Sequence, residues 1–280
     1  MEKTDLNRFG YKIVDRDYAA IEPILADAAE HLRPVEVGLY FRDGETHSRL
    51  RAGLGAPGQS VITHLDHRKL SVYSHIRHES LLREQIETSL ALGAGYAINH
   101  IAPYPMSPRP DYQSLLLERL SCNLERLDHI CREYGFSIHI ENTFRGIGFY
   151  RRIFQQIRVR GLDRLHFCFD IGHAKVWSTS SLGEWMEFLD ELNGQGFNLH
   201  MHLHANSGLM DEHLSLPEAE RLGYTQPDVF TGNWGFHEAI SRLDQRFPKA
   251  CKIFEVPTGE ALENMSNSLA RMAGIRGGAG

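Results

Sequence analysis

Acids and histidines recur along this chain wherever a short apolar run ends: His64, His100, Glu141, Asp170 with His173, His202, Asp211 with His213, and Glu255. Carboxylates and neutral imidazoles are ligands for divalent cations. No cysteine stands in the series, so the donors favour zinc, manganese, iron or cobalt over a thiolate-held structural zinc. Such side chains are costly to bury without partners, and a bound cation supplies one. The alternative is a buried network of ion pairs with no metal, whose desolvation is expensive. One such residue would mean little. Their repetition, one or two to each apolar run, is the signal.

The elements that would position them alternate regularly. Strand-like runs lie near 10–14, 35–40, 60–64, 96–101, 137–141, 165–170, 198–204 and 252–256. Helical stretches follow near 19–32, 45–54, 76–92, 111–134, 149–159, 182–192, 237–247 and 260–273. In the fourth helix Leu116, Leu120, Leu124, Leu127, Cys131 and Tyr134 form one stripe, and Gly135 stops it. Eight strand–helix alternations predict an α/β fold closed as a single (β/α)8 TIM barrel. A barrel of this kind takes about 250 residues. One domain over 1–273 is therefore expected, with a flexible glycine-rich tail at 274–280. The βα loops at the C-terminal mouth would then carry the site.

Side-chain alternation sharpens that placement, because successive strand residues face opposite sides. His200, His202 and His204 share one face, and Leu199, Met201 and Leu203 the other. Ile138 and Ile140 suit the helical shell, which turns His139 and Glu141 inward. Phe167 and Phe169 likewise turn Cys168 and Asp170 inward. Parity thus brings Glu141, Asp170 and His202 to the interior.

Composition narrows the partners. The chain has 280 residues, a net charge of −6 and 42% hydrophobic residues. Of its 30 basic residues only six are lysine, and no basic stripe stands out, which argues against duplex DNA and for a small-molecule substrate. No run of about 18 apolar residues is present, so no membrane partner is expected. There is no charged-then-apolar leader, and the four cysteines form no CxxC pair. These features fit a cytoplasmic protein, and a homo-oligomer is compatible with them.

The segments Thr63-His64-Leu65, Asn99-His100, HIENTF at 139–144, FDIGHA at 169–174, HLHANSGLMDEH at 202–213 and FEVP at 254–257 resemble the xylose isomerase-like TIM barrels. That superfamily includes endonuclease IV and many sugar isomerases and epimerases. The resemblance spans the third strand to the eighth. It implies a shared metal-binding core of Glu141, Asp170, His202 and Glu255. By likeness to endonuclease IV it implies five more ligands, His64, His100, His173, Asp211 and His213, and one to three ions. Two departures stand out. Residues 216–230 intervene before Gly232-Asn233-Trp234-Gly235, and Ala205 stands where the family often has Asp.

The full set of nine implies a multi-metal site and hydrolysis of a phosphoester in a small nucleotide- or cobamide-like metabolite, with metals holding phosphate and activating water. The alternative is a sugar or sugar-phosphate isomerase or epimerase. It would use one metal, with Glu141 and Glu255 as paired acid and base. A DNA repair endonuclease is disfavoured by the charge balance. Arg145, Lys175, Trp177 and His204 are candidate substrate contacts, with Tyr104 and Trp234 beside them. His139, His166 and His200 are expected to stand behind the ligands. His67, His75 and His78 are expected to form a polar lip.

Overall fold

The computed structural model describes residues 8–224 and 235–277, with side chains to 274. Eight parallel strands close into a barrel in chain order: β1 (Phe9–Val14), β2 (Val35–Gly38), β3 (Val61–His64), β4 (Ala97–His100), β5 (Ile138–Glu141), β6 (Leu165–Asp170), β7 (Leu199–Leu203) and β8 (Cys251–Phe254). β8 pairs back onto β1 through Phe9↔Lys252 and Tyr11↔Phe254. Closure leaves no open sheet edge. All eight strands lie where the apolar runs predict them.

The expected helices correspond to α1 (Tyr18–Glu30), α2 (Gly44–Gly53), α3 (Glu79–Ala91), α4 (Pro110–Tyr134), α5 (Ile147–Val159), α7 (Leu182–Gly194), α9 (Phe236–Arg246) and α10 (Ala261–Gly277). Pro110 opens α4, and Gly135 ends it in the left-handed region at φ 63°. A capping box of Ser181 and Glu184 starts α7. α10 reaches Gly277, so it takes in the first part of the segment expected as a flexible tail. Residues 278–280 lie outside the described residues.

Two short helices have no counterpart in the periodicity. In α6 (Ile171–Trp177), Asp170 ends β6 and its carboxylate accepts from the His173 backbone N–H at 2.7 Å. The sequence D-I-G-H thus caps a helix as well as presenting two acid/imidazole groups. In α8 (Leu216–Arg221), Ser215 is the N-cap and Asn264 of α10 accepts from the Leu216 N–H at 2.8 Å. The first part of the 216–230 segment is therefore tied down to α10. Residues 225–230 and the 232–234 part of the glycine-bearing run fall outside the described residues, Trp234 among them.

The apolar core divides as parity requires. One large cluster, including Ile138, Ile140, Phe167, Phe169, Leu199 and Met201, fills the layer between strands and helices. A small separate cluster of Ile62, Ile98 and Cys168 plugs the barrel interior. Around it the inward positions include Lys12, Glu36, His64, His139, Glu141, His200 and His202. Fully buried Asp15, just past β1, organises the loop after β2. It accepts from the backbone N–H of Tyr40, Phe41 and Arg42 at 2.8–2.9 Å, and His47 Nε2 lies 3.0 Å away. This loop holds the Tyr40 ring against His64, centroids 5.7 Å apart. Burial pushes the Asp15 carboxyl up, but His47 and the three amides outweigh it and hold it below its usual value.

Asp15→Ala strands those amides, and is expected to lower the unfolding free energy by about 3 kcal/mol in a denaturant titration. Because the carboxyl is depressed in the fold, its contribution is present above about pH 3.9 and fades as pH falls below it. An unchanged midpoint would show that another group anchors the loop.

Candidate metal centre

The deepest acids and imidazole meet where β5, β6, β7 and β8 end. Glu141, Asp170 and His202 are fully buried and Glu255 is nearly so. Register makes Asp170 the neighbour of His202 and His100 the neighbour of Glu141. One potential ligand atom from each of Glu141, Asp170, His202 and Glu255 lies within 4.8 Å of the others. The geometry around His202 is the most telling. Its Nε2 lies 2.9 Å from Glu36 Oε2, which turns Nδ1 toward the mouth. Nδ1 faces Glu255 Oε2 at 3.0 Å, Glu141 Oε1 at 3.4 Å and Asp170 Oδ2 at 3.7 Å. Neither Nδ1 nor Glu255 Oε2 has a hydrogen-bond partner among the described residues.

Two further groups flank this core. His64 and His100 place Nε2 3.1 Å from Glu141 Oε2, and His67 lies with them, its ring stacked on His100 at 4.5 Å. On the other side are His173, His204, Asp211 and His213. Asp211 Oδ2 is 3.1 Å from His173 Nε2 and 3.0 Å from His213 Nε2. His173 Nδ1 lies 3.1 Å from Glu141 Oε1, so Glu141 borders all three groups. The nine residues singled out from the sequence thus come together at one mouth.

Local backbone devices hold the second flank. His213 sits at φ 51°, a conformation costly for a non-glycine residue. A two-bond bridge between Ala205 and Leu214 secures the turn beside it. His204 lies against both Asp170 oxygens, at 3.1 and 3.2 Å, and stacks on His213 at 4.2 Å. It fits there because residue 172 is glycine. A Cβ at Gly172 would meet the His204 ring at 2.0 Å.

The electrostatics fit a cation. Five carboxylates converge here: Glu36, Glu141, Asp170, Asp211 and Glu255. Lys12 is the fixed cation buried with them, its Nζ 2.5 Å from Glu255 and 3.4 Å from Glu36. Burial alone would raise these acids and lower the imidazoles. Instead, nearby His100 and His202 hold Glu141 well below the usual range. Lys12, His202 and His213 do the same for Glu255. Against the pull of burial, Glu255 and Asp211 lift His213 to about 9, while Asp170, Asp211 and Glu141 hold His173 well above its ordinary value. The site compensates surplus negative charge with protons on imidazoles. A divalent cation would supply that positive charge in place of the protons.

The other expected residues are placed differently. His204 is fully buried against Asp170 rather than open to solvent. Arg145 donates to the carbonyls of Met106 and Ser107, bracing one loop against another. Lys175 Nζ donates to the Asn206 carbonyl at 3.0 Å. Trp177 packs at a tilt against the His173 ring, centroids 4.8 Å apart, and Tyr104 is exposed on the rim. His75 is buried, its Nδ1 3.1 Å from the Val72 carbonyl, and so is no part of a polar lip. His139 and His166 lie toward the opposite end, where Tyr96 stacks on His139. Glu36, Lys12 and His67 were absent from the strand-tip series. The lone acid in V-E-V-G and the lone lysine in F-G-Y-K-I-V carry the same inward parity.

The chain is similar in structure to three solved proteins. The TTHB071 protein from Thermus thermophilus, from crystals soaked with ZnCl2, aligns at TM-score 0.69 and 20% identity, covering 96% of this chain and 98% of that one. A D-tagatose 3-epimerase-like protein aligns at 0.67 and 20% identity, covering 95% and 98%. A xylose isomerase domain protein from Planctomyces limnophilus aligns at 0.59 and 15% identity, covering 96% of each. With these proteins the chain shares the (β/α)8 TIM-barrel fold. In sequence, uncharacterized protein MJ1311 of Methanocaldococcus jannaschii is 29% identical over 170 residues, 59% of this chain. The chain matches about half of that relative, 51% of its length. No family model matches the chain.

Two outcomes are expected of this barrel. Gly172→Ala must displace His204 from Asp170, and is expected to weaken zinc binding roughly 10- to 100-fold by competition with a chelating dye. Unchanged affinity would free His204 of any role in holding Asp170. Second, the raised histidines must lose protons for a cation to bind. Zinc affinity is therefore expected to climb with pH until about pH 9, the His213 value, by up to about tenfold per pH unit for each proton released. Calorimetry in buffers of different ionisation enthalpy counts those protons, and a pH-independent affinity would refute the competition.

Proposed function

We propose that the chain is a divalent-metal-dependent enzyme acting on a small molecule, and that it hydrolyses a phosphoester at a site of two or three ions. The observation that carries this reading is the surroundings of Glu141. Both its oxygens face imidazoles: His64 and His100 at 3.1 Å on one, His173 at 3.1 Å and His202 at 3.4 Å on the other. A carboxylate so enclosed suits a group shared between cations. In this reading His64 and His100 hold one ion with Glu141. Asp170, His202 and Glu255 hold a second, and His173, Asp211 and His213 a third. Bound cations would polarise a phosphoryl group and lower the pKa of a water molecule. The protein's part is to fix donors on rigid strand ends, and to keep Glu255, Asp211 and His213 partly open to the mouth. Among the described residues no helix is long and apolar enough to cross a membrane. The cysteines are all free, in keeping with a cytoplasmic setting.

The names of the structural neighbours favour a second reading. A D-tagatose 3-epimerase-like protein and a xylose isomerase domain protein share the fold. In that reading one ion binds at Glu141, Asp170, His202 and Glu255, and the two glutamates exchange a proton with a sugar carbon. The enclosure of Glu141 disfavours it, because a base needs a free oxygen facing substrate.

Metal analysis of zinc- and manganese-loaded protein separates the two. Two or three ions per chain and cleavage of a phosphodiester probe such as bis(p-nitrophenyl) phosphate are expected. His64→Ala and His100→Ala should each remove one ion and at least 100-fold of the rate. One ion per chain, with deuterium entering a ketose carbon from D2O, would establish the isomerase reading instead.

A further inference from the structure

Beneath the candidate ligands, one step deeper in the barrel, lies a layer of buried polar side chains from β1, β2, β4 and β7. Lys12 and Glu36 are register partners on neighbouring strands. Both are buried, with Lys12 Nζ 3.4 Å from Glu36 Oε1. Each also reaches upward to one candidate ligand. Glu36 Oε2 accepts from His202 Nε2 at 2.9 Å, and Lys12 Nζ donates to Glu255 Oε1 at 2.5 Å. His200 Nε2 lies 3.1 Å from the same Glu36 oxygen, and the Tyr96 hydroxyl bonds His200 Nδ1 at 2.8 Å. The layer is thus braced from below as well as paired within itself.

The consequence falls on two atoms. With Nε2 turned to Glu36 at 2.9 Å, the nitrogen that His202 offers to the mouth is Nδ1. With Oε1 committed to Lys12, Glu255 presents Oε2. These are the two buried atoms that stand 3.0 Å apart without a hydrogen bond. They stand at ion-pair distance and point at one place, where a bound cation would take over from a shared proton.

We propose that Glu36 and Lys12 are positioning residues for a cation site: Glu36 fixes the tautomer and ring orientation of His202, and Lys12 fixes which oxygen of Glu255 faces the ion. Ring nitrogens that ligate metals are commonly oriented by a carboxylate on the opposite nitrogen. The pairing of Glu36 with Lys12 also keeps that carboxylate charged in a dry interior, because an isolated acid there would neutralise itself. The inference rests on the metal reading of the site and adds to it two residues outside the nine.

The test compares zinc affinity and the visible spectrum of the cobalt-loaded protein for wild type, Glu36→Leu, Glu36→Gln and Lys12→Met. Glu36→Leu keeps the volume but offers no acceptor. It is expected to lose 10- to 100-fold in affinity and to shift the cobalt bands. Glu36→Gln retains an acceptor oxygen and should recover much of both, which a space-filling role would not produce. Lys12→Met should also weaken binding and alter the bands. Wild-type affinity and spectrum in both Glu36→Leu and Lys12→Met would overturn the proposal. Absence of zinc binding by wild type would overturn the metal reading beneath it. Should a variant fail to fold, 15N spectra of zinc-loaded wild type decide directly, with the His202 signals assigned by their loss in His202→Ala. A protonated Nε2 supports the proposal and a zinc-bound Nε2 defeats it.

Discussion

Everything at the mouth of this barrel answers to one constraint: a closed sheet has turned five carboxylates toward the same small volume. Parallel closure gives Glu36, Glu141 and Asp170 no solvent route, and each is buried. Like charges at such separations in a medium of low dielectric are strongly unfavourable. The imidazoles of His64, His100, His173, His202 and His213, each within 3.5 Å of a carboxylate oxygen, are one response. Lys12 is another. Four donor atoms of Glu141, Asp170, His202 and Glu255 still converge within 4.8 Å of one another, which is why the arrangement reads as a cation site.

The same constraint explains features that would otherwise look like defects. The left-handed His213 and the ring of His204 pressed over Gly172 are local costs. They are maintained because the Ala205–Leu214 bridge, the Asp170 cap of α6 and the packing of Trp177 on His173 leave few other arrangements. Asp170 shows how economical the result is. One side chain ends a strand, caps a helix through the His173 amide, and anchors His204.

Much of this was legible in the chain because two periodicities act together. Apolar runs marked the strands, and the step of two within them fixed which residues turn inward. That suffices for Glu141, Asp170 and His202, and for the strand-end positions of His64, His100 and Glu255. It also held for Ile138 and Phe167 on the outer face. Attention to strand tips alone overlooked Glu36 and Lys12, since both lie mid-strand, although parity applies to them equally. His67 and His75 illustrate the other limit. Both follow β3 outside any period, so only the path of the loop decides that His67 joins His64 and His100 while His75 is buried elsewhere. The short helices α6 and α8 escaped for a related reason. At seven and six residues they show too little periodicity, and their starts are set by the side-chain caps Asp170 and Ser215.

The gradient of exposure says where chemistry can take place. His64, Asp170 and His202 have essentially no accessible surface, so they can hold but not greet a substrate. His213 at 33%, Asp211 at 20%, Glu255 at 17% and His100 at 13% are the accessible members. Each of the three groups that meet at Glu141 therefore contributes at least one partly open residue, and these border the same mouth. A polar group reaching the mouth would meet these open members first, while their buried partners stay fixed. The rim is braced as well, with α8 tied to α10 through Asn264 and the Arg271–Glu220 ion pair.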